Sequence, residues 1–279
     1  MSLPMILYKT TRGALVEHDA ACYTVPGDWD DLFARRDPGR FLRNFVEDSP
    51  PSAHRSVARH LVAPIGSQEV WGAGVTYNRS RVARMSESKR TGGSDFYDRV
   101  YRAVRPELFF KASAPRVVGP GGVMHLRRDS TWIVPEPELT LAITAGGQVF
   151  GYTIGNDLSC RDIEGENPLY LPQAKTYAGC AALGPGILVT RRPLPRATSI
   201  ALDIRRRGRS IFTGTTSISE IRKPFAVLVE HLYRDNVFPD GCFLMTGTGI
   251  VPPGRFSLRL GDEVRITIEH IGTLVNRMG

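Results

Sequence analysis

The residues of this chain best placed to do chemistry lie in Pro135-Glu136-Pro137-Glu138-Leu139. Glu136 and Glu138 stand two apart where the chain enters a strand, and period-two geometry turns both side chains the same way. Two adjacent carboxylates repel unless water or a cation neutralises them. A second strand, Gly151–Ile154, runs on into Gly155-Asn156-Asp157. If the two strands are neighbours, Asp157 closes a three-carboxylate face. Three hard oxygen ligands with no His or Cys suit Mg²⁺, Mn²⁺ or Ca²⁺, with water in the remaining positions. On spacing alone the simpler reading is favoured, in which the glutamates form the solvated face of a strand and Asp157 caps a turn. Lys175, in Pro172-Gln173-Ala174-Lys175, follows the Asp157 segment. Beside a metal it could bind a carboxylate or steady an enolate; otherwise it is a surface lysine. Arg161 and Asp162 could pair locally, a contact worth little if exposed. Gly247-Thr248-Gly249 could offer backbone N–H groups and a hydroxyl to an anion, although a turn between strands explains it as well.

The elements that must position these groups are mostly strands. Candidates are Leu108–Phe110, Glu138–Thr144, Val149–Ile154, Gly186–Thr190, Ser199–Ile204, Ser210–Thr213, Phe243–Thr246, Ser257–Leu260 and Glu263–His270. Gly146-Gly147 marks a hairpin turn between two of them. Val70–Val75 reads as a buried strand. The polar segment Tyr77–Arg105 is consistent with two helices, Ser80–Lys89 and Ser94–Val104, joined at Gly92-Gly93; such a segment is either a lid or a solvated hairpin. Ser219–Tyr233 has the clearest helical periodicity, with Ser217 or Ser219 as cap. Residues 1–64 read as a small separate unit, with strands near Met5–Tyr8 and Ala14–Val16 and a helical stretch over Trp29–Asn44; residues 65–279 form the main domain. The class is α+β and β-rich, not an alternating βαβ array.

Composition narrows the function. Lys plus Arg is 36 and Asp plus Glu is 28 among 279 residues, a net charge of +8. That excess suits an anionic substrate. Arg205-Arg206-Arg207 with Arg209 is strongly basic, but no aromatic platform interleaves with it, so no nucleic-acid partner is expected. No apolar run approaches the roughly 20 residues of a membrane span, and the short patch Leu3–Tyr8 is no signal peptide. A soluble cytoplasmic protein without a membrane partner is expected. The four cysteines, Cys22, Cys160, Cys180 and Cys242, fit no zinc spacing and read as reduced thiols. The six histidines form no HxxxH or HxH pair. No GxGxxG, Walker or GxSxG motif is present.

Several motifs in order are more specific than any one. "LFFK…VGPG" at Leu108–Gly121, the ExE at Glu136 and Glu138, "GYTIGNDLSCRD" at Gly151–Asp162 and "LMTGTG" at Leu244–Gly249 resemble the fumarylacetoacetate hydrolase family from about Leu61 to Gly279. The resemblance implies that family's mixed β-roll fold, preceded here by a small N-terminal domain. It also reverses the ordering drawn from spacing, making Glu136, Glu138 and Asp157 the metal ligands, with Mg²⁺ the usual ion. "YNRSRVARMSES" at Tyr77–Ser88, "DFYDRVYRAVRPELFFK" at Asp95–Lys111 and "RDIEGENPLYLPQAKTYAGCAALGP" at Arg161–Pro185 are most similar to the branch that dehydrates 2-keto-3-deoxy sugar acids.

That branch converts 2-keto-3-deoxy-D-arabinonate to 2-oxoglutarate semialdehyde, a step of pentose catabolism. The resemblance makes Lys175 the base or the enolate-stabilising cation. Glu107 is the preferred second carboxylate, with Glu87 and Glu164 in reserve, and Lys111, Arg81, Arg161 and Thr248 are candidates for substrate contact. The alternative is an acylpyruvate or diketone hydrolase, or a related decarboxylase or isomerase. The family's hydrolases use a lid histidine, whereas no histidine lies between His60 and His125 and this lid carries Ser80, Arg81 and Glu87. A homo-oligomer, dimer or tetramer, acting on a small anionic keto acid is expected.

Overall fold

The computed structural model describes residues 4–52, 60–87, 94–190, 192–254 and 256–279. Three short strands open the chain: β1 (Met5–Thr10), β2 (Gly13–His18) and β3 (Ala21–Val25). Helices α1 (Trp29–Ala34) and α2 (Pro38–Asp48) follow. The single helix expected over Trp29–Asn44 is therefore two. Asp37 caps the second by accepting from the Arg40 N–H at 2.8 Å, and Pro38 occupies the first turn, where its lack of an N–H costs nothing.

Then come β4 (Glu69–Gly74), the helical pair α3 (Asn78–Glu87) and α4 (Ser94–Arg102), and β5 (Glu107–Ser113). Lys89 and the Gly92-Gly93 joint lie outside the described residues. Short strands β6 (Val117–Val118), β7 (Val123–Met124) and β8 (Ile133–Val134) lead into β9 (Pro137–Ile143) and β10 (Val149–Asp157), joined at the expected Gly146-Gly147 hairpin. After β11 (Ser159–Cys160), the short helices α5 (Arg161–Glu166) and α6 (Leu171–Lys175) precede β12 (Ala181–Val189). The remainder is β13 (Ser199–Arg206), β14 (Arg209–Ser217), α7 (Phe225–Tyr233), β15 (Cys242–Met245), β16 (Glu263–Ile268) and β17 (Gly272–Met278). The helix expected from Ser219 begins only at Phe225, because Pro224 keeps the residue before it out of the helical region. Ser257–Leu260 is not a strand, although Leu258 is buried and donates its N–H to the Ile133 carbonyl at 2.9 Å.

The large sheet runs β3-β2-β1-β12-β10-β9-β15-β4-β5, with β6 beside β12; a five-stranded sheet runs β14-β13-β16-β17-β7. β1 joins the large sheet directly, with Leu7 opposite Ile187 on β12. Strand alternation divides the interior into two apolar cores. Leu139, Leu141 and Ile143 of β9 pack with Ile200, Leu202, Ile204, Val264, Ile266 and Ile268 of the smaller sheet. On the opposite face Ala142 packs with Phe33 of α1, Leu42 of α2, Phe150 and Phe243. The strand-rich α+β architecture read from sequence is the one observed. Among the described residues no helix is long and apolar enough to cross a membrane.

Candidate active site

β9 and β10 are antiparallel neighbours, with Glu138 opposite Gly155 and Pro137 opposite Asn156. The Asp157 N–H donates to the Glu136 carbonyl at 3.0 Å, so the register sets Asp157 across from Glu136. Side chains 136, 138 and 157 fall on one face. Carboxylate oxygens of Glu136, Glu138 and Asp157 lie within 4.8 Å of one another, and all three residues are buried. The pair is not a solvated strand face, and Asp157 is not a turn cap.

Lys175, at the end of α6, reaches across this face. Its Nζ donates to Glu136 Oε2 at 2.6 Å, Asp157 Oδ2 at 2.8 Å and Ser159 Oγ at 2.5 Å. Burial works to lower its pKa, but Asp157, Glu136 and Glu164 outweigh burial and raise it, so the ammonium is held charged. Glu136 shows the reverse balance. Burial would raise it, yet Lys175, Arg161 and Arg84 hold it well below the usual carboxylate range. Arg161 Nη2 stands 2.7 Å from Glu136 Oε1, and Arg84 Nη2 stands 3.4 Å from it.

Glu138 differs from its neighbours. It accepts the Gly247 N–H at 2.5 Å, and among the described residues no ion pair neutralises it. Burial first, then Asp157 and Glu136, drive its pKa well above the ordinary value. Gly247 holds a φ of +90°, and an added Cβ there would overlap the Thr76 hydroxyl; the close N–H approach needs glycine. Six carboxylates (Glu87, Glu107, Glu136, Glu138, Asp157, Glu164) stand against four cations (Arg84, Lys111, Arg161, Lys175). The surplus of carboxyl groups over cations among the described residues, and the all-oxygen donor set, fit a hard divalent ion held by Glu136, Glu138 and Asp157.

The remaining predicted residues divide. Glu107, Lys175 and Thr248 line a cavity of about 30 Å³ together with Glu136, Glu138, Ser80, Arg84, Tyr97 and Phe109. Burial raises the Glu107 pKa, and Gly74 opposite it leaves room for its carboxyl, whose Cδ would sit 2.5 Å from an added Cβ. Thr248 turns its hydroxyl back to the Ile250 N–H at 3.1 Å. Glu87 pairs with Arg161 at 3.2 Å, and Glu164 pairs with Arg84. Both glutamates belong to the charge network, not to the cavity wall.

Lys111, expected to touch substrate, is fully buried behind Asp157. Its Nζ stands 2.5 Å from Asp157 Oδ1 as an ion pair and donates to the Leu158 carbonyl at 2.9 Å and the Lys175 carbonyl at 2.5 Å. Arg81 lines no part of the cavity; it turns toward α4, paired with Asp98 at 2.6 Å. Arg161 faces Glu136 and Glu87 and lines no part of the cavity. Sequence reasoning missed Arg84, Tyr97 and Ser159. Arg84 sits in the same motif as Arg81, and only the helical phase of α3 separates the two.

The pattern of strands carrying an ExE and a distal aspartate extends over the segment, residues 70–279, that matches the model of the fumarylacetoacetate (FAA) hydrolase C-terminal domain. The chain belongs to the fumarylacetoacetate hydrolase family. It is 46% identical over 219 residues to 2-dehydro-3-deoxy-D-arabinonate dehydratase of Saccharolobus solfataricus, covering 77% of this chain and 73% of that one. It is 44% identical over 245 residues to a Haloferax volcanii protein named probable 2-keto-3-deoxyxylonate dehydratase, covering 87% and 83%. A solved structure of 2-keto-3-deoxy-D-arabinonate dehydratase complexed with magnesium and 2,5-dioxopentanoate superposes with a TM-score of 0.81 at 34% identity, covering 99% of this chain and 98% of that one.

Proposed function

We propose that this chain is a hydro-lyase that removes water from a 2-keto-3-deoxy sugar acid of the 2-keto-3-deoxy-D-arabinonate type. The product is 2,5-dioxopentanoate, which is 2-oxoglutarate semialdehyde, and the cofactor is Mg²⁺. The observation that carries the reading is the buried Glu136–Glu138–Asp157 cluster beside Lys175 and Glu107, in a chain similar throughout to dehydratases of this substrate.

Glu136, Glu138 and Asp157 would hold the ion. When bound, it supplies Lewis-acid polarisation of the 2-keto group, which makes the C3 protons more acidic. Lys175 keeps an ammonium where negative charge develops on the enolate oxygen; a cation shared by Glu136 and Asp157 would offset the carboxylates that hold it charged, which makes it the candidate for moving the C3 proton. Glu107, whose pKa burial raises, is the candidate acid that protonates the C4 hydroxyl as it departs as water. Moving a proton from C5 to C3 then leaves a C4–C5 enol, which tautomerises to the aldehyde. Arg84 and Arg161 orient Glu136, Glu164 and Glu87. Thr248 is the remaining candidate for a direct substrate contact.

Metal-stripped protein assayed with 2-keto-3-deoxy-D-arabinonate, with and without Mg²⁺, tests the reading. Semialdehyde formed only with Mg²⁺ is expected. Pyruvate released from an acylpyruvate, with no semialdehyde from the deoxy acid, would move the function to carbon–carbon hydrolysis.

The same reading carries a place in pentose catabolism, a cytoplasmic location, a homo-oligomeric state and a division into units 1–64 and 65–279. The family match beginning at residue 70 supports the boundary. Light scattering in solution checks the oligomer.

A further inference from the structure

The helical pair α3–α4 brings Ser80 and Arg84 to the cavity and Glu87 to the charge network, yet it shares in neither apolar core. Its buried side chains among the described residues are polar, Ser80 and Arg84. What fixes its angle over the site must therefore lie in its non-core contacts.

Besides the ion pairs of Arg84 and Glu87 at the site, contacts at the base of the pair gather on three consecutive residues, Ile221, Arg222 and Lys223. Ile221 bridges Tyr77, just before α3 begins. The Lys223 ammonium donates to the Ala103 carbonyl at 2.5 Å, just past the end of α4, where a cation suits the helix terminus. Between them the Arg222 guanidinium stands 4.9 Å from the Tyr101 ring centroid, and Arg81 of α3 stands 5.0 Å from the same centroid. Tyr101 is thus attracted by two cations, one on the hairpin and one on the frame. The frame side is tied to the metal-ligand end of the site. The Arg222 N–H donates to the Thr76 carbonyl at 3.0 Å, Thr76 Oγ1 donates to the Thr246 carbonyl at 2.6 Å, and the Gly247 N–H meets Glu138 at 2.5 Å.

We infer that Tyr101 and Arg222 are positioning residues for the reaction. Their cation–π contact clamps the base of the α3–α4 hairpin and so sets where Arg84 and Glu87 stand relative to the carboxylate cluster. The kinetic part of this inference rests on the dehydratase reading; the structural part does not.

Hydrogen–deuterium exchange on the full-length, metal-free chain tests it with Tyr101→Leu, Tyr101→Phe and Arg222→Met. Loss of one such contact is expected to speed exchange about two- to fivefold across residues 78–87 and 94–102 in Tyr101→Leu and Arg222→Met. Exchange in β9 and β10 stays unchanged, and Tyr101→Phe, which keeps the ring, behaves like the wild type. In the dehydration assay the first two variants lose about two- to fivefold in kcat, while Mg²⁺ affinity measured by calorimetry holds, because no ligand lies on the hairpin. Wild-type exchange in both variants overturns the inference. So does acceleration spread through both cores, or a Tyr101→Phe variant as fast as Tyr101→Leu. If the wild type itself does not turn over the deoxy acid, the dehydratase reading fails while the exchange result still decides the clamp.

Discussion

Replacing Glu138 by glutamine separates the metal site from the fold. Glu138 is buried, repelled by Asp157 and Glu136, and relieved in part by the Lys175 ammonium and by the Gly247 N–H at 2.5 Å. Glutamine keeps a carbonyl oxygen for that N–H, and its amide can donate to the facing carboxylates. The substitution removes one buried like charge, so the metal-free variant should be more stable than the metal-free wild type by about 1–3 kcal/mol. With Mg²⁺ the wild type regains most or all of that gap. At an ion concentration a hundredfold above Kd, binding adds about 2.7 kcal/mol to the wild type. At about 2–4 °C per kcal/mol for a chain of this size, that is a rise of about 5–10 °C in Tm. The variant, lacking one of three ligands, should lose most of that rise together with turnover. The assay is thermal unfolding of chelator-treated protein with and without MgCl₂. A full magnesium-induced rise in Glu138→Gln, or a metal-free variant that melts below the metal-free wild type, refutes the reasoning.

Other perturbations probe different parts of the site and scaffold. Lys175→Met should lower kcat by about 10²–10⁴-fold while Mg²⁺ affinity measured by calorimetry holds or improves, since a cation competing for Glu136 and Asp157 is gone; a change confined to KM would make Lys175 a binding residue. Gly74→Ala should displace the Glu107 carboxyl and reduce turnover at least tenfold with the magnesium-induced Tm rise intact, because Glu107 is no ligand. For Asp30, burial works to raise the pKa, but hydrogen bonds from Ser67 and Gln68 lower it, so its contribution is present above the unfolded pKa of about 3.9 and disappears as pH falls through the lower folded value. The Tm gap between wild type and Asp30→Asn should accordingly shrink as pH drops from about 6 to about 3. Cys160, Cys180 and Cys242 are buried and burial pushes Cys242 up to about 12, so a thiol reagent at neutral pH should modify Cys22 alone until the chain is unfolded.

What the sequence made legible was the part governed by strand periodicity. Glu136 and Glu138 two apart and Asp157 at the end of the next strand needed only the β9–β10 hairpin, signalled by Gly146-Gly147, to converge. Lys175 was visible as a lysine in a motif, but its three acceptors come from separate elements and have no local signal. Lys111 misled for the same reason. Its motif marked it as functional, and only the fold shows that it faces the back of Asp157 and not the cavity. The strand read as Gly186–Thr190 starts at Ala181, because Gly184-Pro185 looks like a break in isolation and is accommodated within β12 by pairing on both sides. Ser257–Leu260 has strand-like alternation but lacks a ladder partner, which no local pattern reveals.

The charge network itself argues for function over stability. Buried ion pairs commonly contribute less than the apolar packing that could replace them, and this chain already has two extensive apolar cores. Gathering Glu136, Glu138, Asp157 and Glu164 with Lys111, Lys175 and Arg161, all nearly inaccessible, therefore strains the fold for no structural return. The cavity beside them, about 30 Å³, has room for one or two waters as its walls stand. Its walls are not equally tied to the frame. β4, β5, β9 and β15 are tied by ladders on the large sheet, whereas α3–α4 lies outside both cores and is held by polar and cation–π contacts. The wall least tied to the frame is the hairpin carrying Arg84. Its departure would take a cation away from Glu136 and Glu164 as the anionic substrate arrives, and its return would close that charge over the bound acid.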